Sequence, residues 1–167
     1  RSDDPVHVSH LVLASRSPFS GFVLSEDAEI LRNAFLPRVG GQRKGAVYIS
    51  RSLTFRTPAN EASLELALKR LGLSIVSAER LPFAEQVELL KDARVVVAPH
   101  GAGLANLVWA TASHVQEIFA AGHFNDCYAR LAVSSGGTYS AFYCSGTPEP
   151  WGSAPIDEIT TMLDAVL

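Results

Sequence analysis

The hydrophobic pattern of the chain alternates between two kinds of segment. Short β-branched or aromatic runs without polar alternation recur at Ala46–Ser50, Leu73–Ser77, Val95–Val97, Val115–Phe119 and Thr138–Cys144. Runs of that kind suit strands buried on both faces. Between them lie segments with apolar residues at helical spacing: Glu61 to about Leu71, Phe83 to Asp92, the stretch after Gly103, Asp126 to about Ser134, and Ile156 or Asp157 to Leu167. Asn60 is placed to cap the first of these helices and Gly72 to stop it. From residue 46 the order is therefore β-α-β-α-β-α-β-α-β, a loop, and a last α. Strands alternating with helices of about ten residues predict an α/β fold, a Rossmann-like parallel sheet with helices on both faces.

The first 45 residues read differently. Val6–Ala14 is a candidate strand, Glu26 to Leu36 a helix ended by Pro37, and Val39–Gly45 a flexible basic link. This divides the chain into an N-terminal arm, helix and linker (1–45) and a Rossmann-like domain (46–167). His7 and His10 lack a nearby third ligand, and no His/Cys cluster has zinc spacing.

Composition narrows the function classes. Apolar residues make up 47% and charged residues 19% of the 167, as in a globular domain with a substantial core. The net charge of -3 gives no electrostatic case for nucleic acid. No apolar stretch approaches the roughly 20 residues of a membrane span. Cys127 and Cys144 are too far apart for a CxxC site and read as reduced rather than bridged, which suits a reducing compartment.

The candidate chemistry gathers at Pro99-His100-Gly101-Ala102-Gly103-Leu104-Ala105-Asn106. A strand, a glycine turn and a helix N-terminus form an anion site in which free N–H groups and the dipole face one spot. Because the turn follows the third strand of its unit and its third glycine is replaced by Asn106, a dinucleotide fingerprint of the NAD type is disfavoured. In a parallel sheet, ligands bind beyond the carboxyl ends of the strands. Arg51 and Arg56 after the first strand, Glu79 after the second and Glu117 in the fourth fall at or near that edge. Arginines can grip phosphate bidentately or simply decorate a solvated loop. Glu117 can accept from a ribose diol or serve a local ion pair. His100 can act as base, donor or loop brace. Asn106 can brace the glycine loop. There is no Gly-x-Ser-x-Gly elbow, and no Asp-x-Asp pair for a divalent metal.

Taken in order, Tyr48-Ile49-Ser50-Arg51, Arg56, Asn60-Glu61, Phe83-Ala84-Glu85-Gln86-Val87, Ala98 to Asn106 and Glu117-Ile118 resemble glycosyltransferase family 61. The resemblance covers about residues 46 to 120 and is loose outside them. It implies the C-terminal, donor-binding half of a GT-B enzyme: inverting, metal-independent, without a cofactor, using a nucleotide-sugar donor, with a UDP-sugar favoured. By that resemblance Arg51 and Arg56 neutralise the diphosphate, and the amides of Gly101, Ala102, Gly103 and Leu104 cradle it. Glu117 holds the ribose. Leu81 and Phe83 lie near the base, and His100 faces phosphate or sugar as the catalytic candidate. The acceptor is a glycan or protein. Forty-five residues are too few for an acceptor domain, so that wall is expected from a missing N-terminal domain, a partner chain or a second copy in an oligomer. A cytoplasmic, bacterial-type setting accompanies this reading. The alternative is a non-catalytic nucleotide or nucleotide-sugar binding module.

Overall fold

The computed structural model describes residues 25–35, 45–52, 54, 56–147 and 151–167. The Val6–Ala14 strand, the His7/His10 pair and the 39–44 link lie outside them. Its centre is a five-stranded, all-parallel sheet in the order β2-β1-β3-β4-β5, with β1 Gly45–Ile49, β2 Ser74–Val76, β3 Ala93–Pro99, β4 His114–Phe119 and β5 Thr138–Tyr143. The helices are α1 Ser25–Phe35, α2 Glu61–Arg70, α3 Phe83–Lys91, α4 Cys127–Ser134 and α5 Ile156–Asp164.

Strand side chains alternate between two cores, as the two-residue period of a strand requires. Val47, Ile49, Val96, Ala98 and Val115 face α3 and α4 through Val87, Leu90, Leu131 and Ala132. Tyr48, Val95, Val97, Ile118 and Phe142 face α2 and α5 through Leu64, Leu68, Ile159 and Leu163. Helices thus cover both faces, which is why the central strand β3 is apolar from Val95 to Pro99. The expected α/β, Rossmann-like class is the one observed.

Gly72 stops α2 as expected. Its φ is +86°, and Leu73 N–H reaches back to Leu68 O while Gly72 N–H bonds Lys69 O, each at 3.0 Å. That is a Schellman arrangement, which needs a left-handed residue and so favours glycine.

Two expectations are corrected. The apolar run after Gly103 is a seven-residue 3-10 helix, Ala102–Val108, not an α-helix. Leu104, Leu107 and Ala110 are all buried at a spacing of three, and side chains three apart eclipse one another in a 3-10 helix. Asn60 makes no side-chain cap. Its Nδ2 donates to Ala154 O at 2.9 Å, and its Oδ1 accepts from Ala154 N–H at 2.8 Å. The side chain pairs with the backbone of the segment before α5 instead of its own helix. That segment is further tied by the Ser145–Ser153 bridge and by Ala59 N–H to Gly152 O.

Candidate active site

The sheet order reverses direction between β1 and β3. The loops leaving their carboxyl ends diverge there and open a crevice, the usual ligand position in such sheets. The residues singled out from the sequence meet at this point.

On the β1 side, Ser50 is buried and Arg51 begins the loop. The loop is pinned from below by Glu61, a buried carboxylate on the first turn of α2. Tyr48 hydroxyl donates to Glu61 Oε2 at 2.7 Å, and Arg51 N–H donates to Oε1 at 3.3 Å. Ser50 Oγ lies 3.1 Å from the same Oε1 and 2.6 Å from Glu65. Burial, reinforced by the Glu61 charge, pushes the Tyr48 phenol well above its ordinary range and keeps it a donor. From above, Thr54 N–H and Oγ1 both bond Arg51 O, at 2.8 and 3.1 Å.

The Arg51 side chain crosses to β3, where Nη1 donates to His100 O at 2.6 Å. Gly101 makes room for it. A Cβ built there would sit 1.9 Å from Nη1. Any side chain at 101 would push the guanidinium tip off this position. Burial and the neighbouring Arg56 charge lower the Arg51 pKa, and Glu79, Tyr128 and Glu61 oppose them.

Arg51 stands between two clefts. One, of about 500 Å³, is walled by Arg56, His100, Gly101, Ala102, His123, Tyr128 and Trp151 as well as Arg51. The other, of about 400 Å³, takes in Ser50, Glu79, Gln86, Ala102, Gly103 and Asn106 beside Arg51. Asn106 braces the turn as expected: Nδ2 donates to Gln86 Oε1 at 2.9 Å and to Gly103 O at 3.3 Å. Gln86 Nε2 in turn donates to Leu81 O at 2.9 Å, which couples the start of α3 to the glycine turn.

His100 is held by its backbone, N–H to Ile118 O at 2.7 Å, and by its ring. The ring stacks on Phe119 at 5.0 Å between centroids and meets His123 at 4.8 Å and Tyr128 at 5.5 Å. Its Nδ1 is 2.5 Å from Glu117 Oε1. Burial first, then the Arg51 and Arg56 charges, lower the His100 pKa. Burial pushes the Glu117 carboxyl up to about 7, against the Tyr139 hydrogen bond and the nearby His123.

Arg51, Arg56, His100, Gly101 and Ala102 are therefore brought into one cleft, and Gly103 and Asn106 into its neighbour. Four residues are placed otherwise than their expected roles require. Glu117 has no exposed side-chain surface and presents its oxygens to His100 and Tyr139, so in this geometry it supports the histidine. Leu104 is buried in the core, and its N–H already bonds Gly101 O at 2.9 Å. Leu81 and Phe83 line neither cleft around Arg51. Phe83 packs edge-on against Phe35 and Trp109. The segment after the glycine turn is a 3-10 helix, so the expected α-helix N-terminus is not formed there.

His123, Tyr128 and Trp151 were not among the sequence candidates. His123 follows β4 at the carboxyl edge of the sheet, the one signal that could have found it. No helix of the described residues is long and apolar enough to cross a membrane.

The sequence matches the family model for glycosyltransferase 61 over residues 4–115. The match begins inside the N-terminal arm, further upstream than the motif string suggested, and ends just before Glu117. Over 94 residues the chain is 31% identical to the EGF domain-specific O-linked N-acetylglucosamine transferase of Drosophila melanogaster. The aligned stretch covers 54% of this chain and 18% of that protein, so the chain corresponds to under a fifth of this relative's length.

Proposed function

The chain belongs to glycosyltransferase family 61, and on that premise we propose that it is the donor-binding part of an inverting, metal-independent glycosyltransferase that uses a nucleotide-sugar, with UDP as the nucleotide. The observation that carries this reading is the Arg51 guanidinium, fixed against the His100–Gly101 turn between two clefts with Arg56 on the wall. A diphosphate leaving group carries negative charge that builds as its bond to the sugar breaks. Fixed positive groups aimed at that charge lower the barrier without a metal. Arg51 places Nη1 on the turn, and a guanidinium has further N–H donors with which to meet a phosphate.

In the reaction, an acceptor hydroxyl oxygen bonds to the anomeric carbon as the carbon–oxygen bond to the diphosphate breaks. The bonding pair leaves with the diphosphate, and the hydroxyl proton passes to a base on the acceptor side. The acceptor is a glycan or a protein hydroxyl, and the acceptor wall comes from elsewhere in a longer protein or from a partner chain.

Calorimetric titration of the chain with UDP and GDP, with and without EDTA, tests the site. UDP binding that survives EDTA is the expected result, and no heat with either nucleotide refutes it. Hydrolysis of a UDP-sugar separates a catalytic donor domain from the alternative, a binding module. The second cleft contains one carboxylate, Glu79, and a donor bound but never turned over would favour that module.

A further inference from the structure

Behind His100 lies a layer that the phosphate chemistry does not use. Glu117 is wholly enclosed on β4. Its Oε1 faces His100 Nδ1 at 2.5 Å, and its Oε2 accepts the Tyr139 hydroxyl at 2.6 Å. Tyr139 reaches it because β4 and β5 run parallel with Val115 opposite Tyr139 and Glu117 opposite Ala141, which puts the two side chains diagonally on one face.

We propose that Tyr139 and Glu117 are positioning residues that make His100 Nε2 a switchable group, a hydrogen-bond acceptor when the His100–Glu117 pair holds one proton and a donor when it holds two. This inference rests on reading the cleft beside His100 as the donor site.

The switch follows from counting protons. With one proton on the pair, the carboxylate accepts from both Tyr139 and Nδ1, and Nε2 is left with its lone pair. A second proton has two places to go. It can make an imidazolium facing a carboxylate, or a carboxylic acid donating to a bare Nδ1. Both place a hydrogen on Nε2. The outcome is the same wherever the second proton sits.

The surroundings put this change near neutrality. Burial raises Glu117 to about 7, with the Tyr139 bond and His123 opposing. Arg51 and Arg56, from the loop after β1, together with burial hold His100 down. Cys127 and Tyr128 on α4 are both pushed up by burial and stay protonated. Burial and the Glu117 carboxylate raise the Tyr139 phenol strongly, so it remains a donor throughout. With Nε2 as acceptor the cleft suits a sugar hydroxyl. With Nε2 as donor it suits a phosphate oxygen.

The test is a pH series of nitrogen-15 imidazole spectra on the whole chain, over about pH 5 to 9, with His100 assigned by His100→Gln. The expected result is protonation at Nδ1 at the alkaline end and at Nε2 below a midpoint near 7. Tyr139→Phe removes a bond that favours the carboxylate and should raise the midpoint by about one unit. Glu117→Gln should remove the transition near 7 and leave only the lone imidazole's own protonation at lower pH. An Nε2–H tautomer at alkaline pH, or a midpoint untouched by Tyr139→Phe, overturns the proposal. If Tyr139→Phe does not fold, the wild-type tautomer at alkaline pH still decides it. The spectra need no ligand. A sample that shows the switch but binds no UDP refutes the donor reading alone, and UDP binding with the wrong tautomer refutes the switch alone.

Discussion

Arg51 Nη1 donates to the main-chain carbonyl of His100 at 2.6 Å, across 49 residues of sequence. One guanidinium thus secures the turn after β3 from the loop after β1. A lysine supplies charge but no planar fork, so it cannot hold the carbonyl and reach a phosphate together. Arg51→Lys is expected to weaken UDP binding ~10–100-fold, the equivalent of about 1.5–3 kcal/mol for a charge-assisted hydrogen bond. Arg51→Ala should lose more. Calorimetry checks both, and equal affinity for wild type and Arg51→Ala would remove Arg51 from the site.

Gly101→Ala tests the same contact from its other side. The added methyl falls 1.9 Å from Nη1, so the guanidinium must shift off its present place on the His100 carbonyl. Its effect on UDP affinity should match that of Arg51→Ala, and the double variant should be no worse than either. Additive losses would show that the two residues act separately.

The carboxyl edge of the sheet was legible in the sequence because it depends on local patterns. Val95-Val96-Val97 reads as a doubly buried strand, and ligands collect past strand ends. Arg51, His100 and Gly101 could be found by that rule, and they do converge. The cross-sheet partners could not. Tyr139 reaches Glu117 only through the β4–β5 register, which nothing within either strand reveals. Asn60 read as a cap because its position suits one. Its actual partner, Ala154, is 94 residues away. The 3-10 helix was hidden because Leu104 and Leu107 fit either helical period, and the packing beneath them decides between the two.

Asn60 therefore makes a discriminating stability test. Asn60→Ala leaves the buried Ala154 backbone without two partners and should cost about 2–3 kcal/mol in urea denaturation. Serine is a good cap but cannot donate and accept across that gap. Asn60→Ser should be nearly as damaging. Full rescue by serine would restore the capping role.

Glu117 gives a pH signature of folding. Its carboxyl is raised from 4.5 to about 7 in the folded chain, so the native state holds the proton more tightly than the unfolded one. Its contribution is fully present below pH 4.5 and declines as pH rises to about 7. The stability difference between wild type and Glu117→Gln should fall by on the order of 3 kcal/mol across that window, with little change above it. Urea melts at several pH values measure it, and a flat difference would contradict the raised carboxyl.

Arg51 and Ala102 line both clefts, and the one guanidinium between them is tied to the His100 carbonyl. A group in the larger cleft that pairs with the guanidinium uses donors that a group in the smaller cleft would also need. Fragments bound separately in the two clefts would then oppose each other without touching, while a single molecule spanning both would meet the arginine once, at its middle. Small probes at this edge should therefore compete by proxy, and only a bridging ligand escapes the conflict.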